Sequence, residues 1–189
     1  MKFHQLYKEY VRDYSSIKKR ESSQQDQERL WRLHIKPEFA EFEIKKIKHR
    51  DIDAFISRKA SKFQSDGGTG GRANNILALM SSMMNFARKR QYIKSNPCFG
   101  IDKIKSDHSW PEMTDTQRTA LRSAAYNESL MLGLIIDMAL ITGARKQEIL
   151  QARWEEFKGD VWTIPSARKK GKKEHILTLP PLLLSLIHI

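Results

Sequence analysis

A chain of 189 residues, 40% of them hydrophobic, can fill the core of one large domain or two small ones, so a folded, soluble protein is expected. Its 34 Lys and Arg against 22 Asp and Glu give a formal charge of +12, so the expected partner is a polyanion, nucleic acid before an acidic membrane surface. The start MKFHQLYKEY has no apolar signal core, the longest apolar run (Leu130 to Ile141) is interrupted by Asp137, and the lone Cys98 leaves neither a disulfide nor a cysteine-based zinc site; a cytoplasmic protein off the membrane is expected.

No internal repeat is visible, and helical periodicity with its breakers organises the first half. Phe3, Leu6, Tyr7, Tyr10, Val11 and Tyr14 fall at three- and four-residue spacing and predict a first helix. A second stripe, Leu30, Leu33 and His34, is expected to end at Pro37. A third helix begins near Asp51, with Ile52, Phe55, Ile56 and Phe63 on its apolar side and Arg58, Lys59 and Lys62 left for solvent or ligand. The run Asp66-Gly-Gly-Thr-Gly-Gly71 breaks it. Ile76, Leu77, Met80, Met83, Met84 and Ala87 then mark a fourth helix that closes in Arg88-Lys89-Arg90. These readings give a four-helix domain over residues 1–96 and a loop-like linker over 97–113, with two prolines and the basic residues Lys103 and Lys105.

The glycine run lacks both the lysine and Ser/Thr of a P-loop and the strand that precedes a dinucleotide fingerprint, so it reads as a flexible interhelical loop. Arg72, Asn74 and Asn75, on the first turn beyond it, are candidates for DNA contact, as are Arg88, Lys89 and Arg90 at the far end of the helix.

The second half starts at Thr114-Asp-Thr-Gln117, which has capping-box spacing. Leu130 to Ile141 is apolar nearly all round, as in a buried central helix, and Gly143 is suited to end it before a short helix from Arg145. The period then changes to two in Val161 to Ile164 and His175 to Leu179, predicting a β-hairpin. Its connection, Ser166 to Lys173, carries five cations in eight residues. The expected fold is mainly α: a four-helix domain over 1–96, then over 114–183 the N-terminal part of an α+β domain with a β-hairpin. An arginine that opens a helix after a glycine stop offers a fixed fork of donors suited to a phosphodiester, while a surface pair between Arg145 and Glu148 is the plainer alternative. Charge favours DNA contact for Lys169, Lys170, Lys172 and Lys173 over a merely solvated turn.

The run Thr142-Gly-Ala-Arg145-Lys-Gln-Glu148-Ile-Leu, then Arg153-Trp-Glu-Glu-Phe157, Trp162-Thr-Ile-Pro165 and Lys170-Gly-Lys-Lys-Glu-His175-Ile-Leu-Thr-Leu-Pro180, resembles the opening of the catalytic domain of tyrosine recombinases, prophage-type integrases above all. Ala73-Asn-Asn-Ile-Leu-Ala-Leu-Met80, Asn85-Phe-Ala-Arg-Lys-Arg90 and Asn96-Pro97 are similar to that family's core-binding domain, so the resemblance covers residues 3 to 183. It implies site-specific breaking and rejoining of duplex DNA through a 3′-phosphotyrosyl intermediate, without metal or cofactor, by a two-domain clamp. It assigns Arg145 to the scissile phosphate and Lys170, chosen over its lysine neighbours on the resemblance alone, to protonation of the leaving 5′-oxygen. A tetramer on paired DNA sites is implied for a full-length parent only.

The family's His-x-x-Arg segment and nucleophilic tyrosine do not follow, since the last tyrosine is Tyr126. The chain is therefore expected to be a truncated piece that does not cleave DNA alone. Residues 184–189, Leu-Ser-Leu-Ile-His-Ile, read as the translation of a sequencing adapter, a non-native tail. A non-catalytic DNA-binding or regulatory protein of the same layout, and more distantly a helical RNA-binding protein, are the alternatives.

Overall fold

The computed structural model describes residues 1–105, 112–168 and 173–187. The chain divides into two compact units, Met1–Ser109 and Trp110–Ile189.

The first unit is built from four helical rods. In α1 (residues 3–18) Phe3, Leu6, Tyr7 and Tyr10 are buried, and the middle, Val11–Ser15, widens into a π-helix. In α2 (residues 21–39) the buried face is Trp31, Ile35 and Phe39, whereas Leu33 of the expected stripe is 51% exposed. Pro37 does not end this helix, contrary to expectation. The π-turn Trp31–Ile35 immediately precedes it, and a widened turn relieves the clash between the proline ring and the preceding carbonyls. Tyr7 stacks on Trp31 at 4.2 Å between ring centroids, joining α1 to α2.

A return segment then brings Ile44 and Ile47 into the core, with Phe3 N donating to Phe42 O at 2.9 Å. In α3 (His49–Ser65) Ile52, Phe55, Ile56, Ala60 and Phe63 are buried. Lys59 is not left to solvent as expected: its ammonium lies 5.1 Å above the Phe55 ring and 2.8 Å from Glu38, which also takes Arg58 at 2.7 Å. The glycine run is a built helix stop. Gly67 (φ +74°) turns the chain left-handed, and Gly68 N donates back to Phe63 O at 2.8 Å. In α4 (Gly71–Lys89) all six of the predicted apolar positions are buried. Residues 97–105 follow the surface of this unit, with Ile101 and Ile104 packed on its core.

The second unit opens with α5 (Asp115–Glu128), whose capping box forms as the sequence predicts: Thr114 Oγ1 accepts from Gln117 N at 3.2 Å and Gln117 Oε1 from Thr114 N at 2.9 Å. It packs on α6 (Leu130–Thr142), with α7 (Lys146–Leu150) and α8 (Pro181–Ile187) also against α6. The expectation that α6 is buried fails. Leu130, Met131, Leu132, Leu140 and Ile141 are 37–66% exposed, and only Gly133, Asp137 and Met138 of this helix are buried.

The hairpin gains a strand in front. Strands β1 (Phe157–Lys158), β2 (Val161–Ile164) and β3 (His175–Thr178) form an antiparallel sheet in that order, with Trp162 opposite Phe157 and Leu177. Two residues, Gly159-Asp160, join β1 to β2 with Gly159 at φ +59°, as a tight hairpin turn requires. Trp162, Ile164, Leu179 and Leu183 make this unit's core with Met138, Ala144 and Ile149. Leu184, at the head of the expected non-native tail, packs on the edge of that core. Among the described residues no helix is long and apolar enough to cross a membrane.

Candidate nucleic-acid interface

In the second unit the site is built around the end of α6. Gly143 adopts the left-handed conformation (φ +64°, ψ 11°), so the chain turns sharply into Ala144 and Arg145. Thr142 Oγ1 fixes the turn, donating to Met138 O at 2.6 Å and accepting from Ala144 N at 3.2 Å. Arg145 is the N-cap of α7. Glu148, one turn on, accepts from Arg145 N and from Nη1, both at 3.0 Å.

The Arg145–Glu148 pair is thus real but lopsided: the glutamate is 4% exposed and the arginine 70%. A buried carboxylate anchors one edge of the guanidinium and leaves the rest of its planar fork facing out, where it can hold two oxygens of one phosphate. The Arg145 amide is taken by Glu148 and is not free for a ligand.

A second arginine ties this turn to the hairpin. Arg168, on the turn Ser166–Arg168 after β2, pairs with Glu156, whose carboxylate also accepts from Trp162 Nε1 at 3.1 Å. Arg168 Nη1 reaches Glu148 O at 3.3 Å. The root of the basic connection is thereby bonded to the helix that carries Arg145. In the sequence Arg168 is only one of five cations in the connection, and no spacing marks Glu148 or Glu156 as positioning residues. Lys173 is exposed, and Lys169, Lys170 and Lys172 lie outside the described residues.

In the first unit the candidates do not form one cluster. Arg72 is exposed at the start of α4 with its guanidinium 4.9 Å over the Phe63 ring, and Asn75 beside it is exposed. Asn74 is spent on structure: Nδ2 donates to Ile104 O and Oδ1 accepts from Ile104 N, both at 2.9 Å. Arg88 and Lys89 are exposed about 24 Å further along α4 at the usual helical rise. Arg90 donates to Asp13 at 2.9 Å and covers the Phe86 ring. The Asp13 carboxyl is held below the usual carboxylate range by its hydrogen bond to Arg12, with Arg90 adding to it.

None of the five tyrosines is set up as a nucleophile. Tyr7 donates to Glu28 at 2.5 Å, its hydroxyl pushed far above its ordinary value by burial and that carboxylate. Tyr10 bonds to Ser82 and stacks on Tyr14, and Tyr92 donates to Glu9. Tyr126 donates to the buried Asp137 at 2.8 Å. Among the described residues no group of three His, Cys, Asp or Glu could hold a metal ion.

Residues 2–60 match the phage integrase N-terminal SAM-like domain. The chain is 26% identical over 171 residues to the integrase of Enterobacteria phage P4, covering 80% of this chain and 38% of the relative. It is 26% identical over 138 residues to the ICEBs1 integrase of Bacillus subtilis (strain 168), covering 70% and 35%. The chain therefore spans less than two fifths of the curated relatives it matches. Its fold follows a lambda integrase dimer bound to a COC′ core site (TM-score 0.79, 16% identity, 94% of this chain and 62% of that one). It also follows the Tn1549 transposon integrase in complex with circular intermediate DNA (TM-score 0.71, 18% identity, 100% and 64%).

Proposed function

We propose that the chain is a piece of a phage-integrase-type tyrosine recombinase and that it holds duplex DNA as the phosphate-binding part of that site-specific recombinase. The observation that carries this reading is Arg145: a guanidinium fixed on one edge by a buried Glu148 and otherwise open to solvent. It grips a phosphodiester oxygen pair, and in a complete active site it would stabilise the charge that builds on the attacked phosphorus. Lys170 is the proposed acid for the leaving 5′-oxygen, on the family resemblance. Lys173 and its lysine neighbours, with Arg72, Asn75, Arg88 and Lys89, supply further contacts. Asn74 serves to pin Ile104 and is not expected to reach DNA. The protein works in the cytoplasm, where its substrate is. A tetramer on paired sites is expected only of a full-length parent; a lambda integrase tetramer bound to a Holliday junction has a similar fold.

Fluorescence anisotropy with labelled duplex DNA tests the reading. Affinity should fall steeply with salt, log K changing by ~0.9 per neutralised phosphate for each unit of log salt. Arg145→Ala should weaken binding to all sequences alike and reduce that slope by about 1. A flat salt dependence would falsify the phosphate-binding reading. With no tyrosine after Tyr126, this chain is expected to bind a nicked substrate without forming a covalent adduct, and an adduct that survives denaturation would overturn that expectation.

A further inference from the structure

The first unit carries a cleft of about 1190 Å³ between the segment that leads into α3, the C-terminal half of α4 and the loop beyond it. Its charge is one-sided. Lys45, Lys48, Arg88 and Lys94 line it with no Asp or Glu among the lining residues. None of the four makes an ion pair among the described residues, whereas the nearby Lys46 and Arg90 do. Unpaired cations facing one hollow repel one another, and a bound polyanion removes that cost.

At the rim stands Phe99, 87% exposed, more than any other large hydrophobic side chain described. It is not there through slackness of the loop. Asn96 Nδ2 donates to Ser81 O at 3.2 Å and Oγ at 3.1 Å, Cys98 N donates to Asn96 Oδ1 at 2.9 Å, and the Cys98 side chain is buried beneath. His49 Nδ1 lies 3.2 Å from Pro97 O. A ring held out in water by a fixed loop forgoes its burial free energy, and a flat apolar surface beside a row of cations matches a nucleotide whose base face is accessible. Bases inside a blunt duplex have no free face. An acidic peptide would satisfy the cations and leave the ring without a flat partner.

We propose that this cleft takes an unpaired DNA strand next to duplex, its backbone along Lys45, Lys48, Arg88 and Lys94 and one base stacked on Phe99. The proposal rests on the reading that the chain holds DNA, and of the residues named for that reading only Arg88 takes part.

Anisotropy of the full chain on a blunt duplex, and on the same duplex with a short single-stranded DNA or RNA overhang, separates the two. The DNA overhang should tighten binding roughly tenfold. Phe99→Ala should abolish that gain and leave blunt-duplex binding and the circular dichroism melt unchanged, while Phe99→Trp should keep it. The double substitution Lys45→Gln, Lys48→Gln should weaken overhang binding and flatten its salt slope. Equal wild-type affinity for blunt and overhang DNA, a gain that survives Phe99→Ala, or a larger gain with RNA overturns the proposal. Loss of blunt-duplex binding in the wild type strikes the DNA-holding reading instead.

Discussion

Asp137 looks in the sequence like a charge misplaced in an apolar run, and the structure makes it the polar centre of the α5–α6 pair. It is 1% exposed and accepts from Arg122 Nε at 2.5 Å, Arg122 Nη2 at 2.9 Å and Tyr126 OH at 2.8 Å. These bonds, that of Arg122 first, hold its carboxyl below the usual range against the opposing effect of burial. Removing either ion is not equivalent. Arg122→Ala strands a buried carboxylate and should cost about 2–3 kcal/mol, less than a fully enclosed pair because Arg122 is 43% exposed. Asp137→Asn frees an arginine that already reaches water and should cost about 1–2 kcal/mol. Urea unfolding followed by tryptophan fluorescence measures both. Because the folded carboxyl lies lower than the unfolded one, its contribution is complete above the ordinary carboxylate value, about 4, and is lost as pH falls through the lower folded value. Wild-type stability should therefore drop on the acid side of pH 4, and Asp137→Asn should blunt that limb.

Two glycines, Gly133 inside α6 and Gly143 just past its end, set the geometry of the second unit, and each makes a prediction at the level of the element. Any Cβ at Gly133 would run into the ring of Tyr126, so Gly133→Ala should push α5 from α6 and cost about 1–3 kcal/mol. Gly143 has open space around it but φ +64°, so Gly143→Ala should cost only about 1 kcal/mol of strain while disturbing the turn that aims Arg145. The reverse holds at the end of α4. Gln91 sits at φ +59° in a helix stop where Tyr92 N donates to Ala87 O at 2.9 Å, and Gln91→Gly should be stabilising, by up to about 1 kcal/mol in the same urea titration.

The elements were legible where one local rule acted: the apolar stripes of α1, α3 and α4, the Thr114–Gln117 box, the Gly143 stop and the two longer strands. They were illegible where two rules competed. A π-turn re-registers the face of α2 and lets Pro37 stay inside it, and β1 is too short to show a period. In the candidate site the sequence nominates Arg145 through the glycine stop before it. Glu148, Arg168 and Glu156 hold it or the hairpin root through contacts up to 20 residues apart, which spacing does not reveal.

Across the whole molecule the two units differ in how well each encloses itself. The first has a continuous core from Phe3 to Cys98, whereas α6 of the second leaves five large apolar side chains in water. Exposed apolar surface of that kind binds hydrophobic dyes. The native chain should enhance anilinonaphthalene sulfonate fluorescence, and Met131→Glu should lower the signal without moving the melt of the first unit. An unchanged signal would place the dye elsewhere.

Cys98 lies under the loop that carries Phe99, buried, with its thiol pushed up to about 12 by that burial. A thiol held neutral and out of reach does not alkylate until its cover lifts. As the chain's one cysteine, it makes labelling rate a built-in clock for the opening of the first unit. A bound overhang that clamps the loop should slow that clock, which lets the cleft be watched without any label on the DNA.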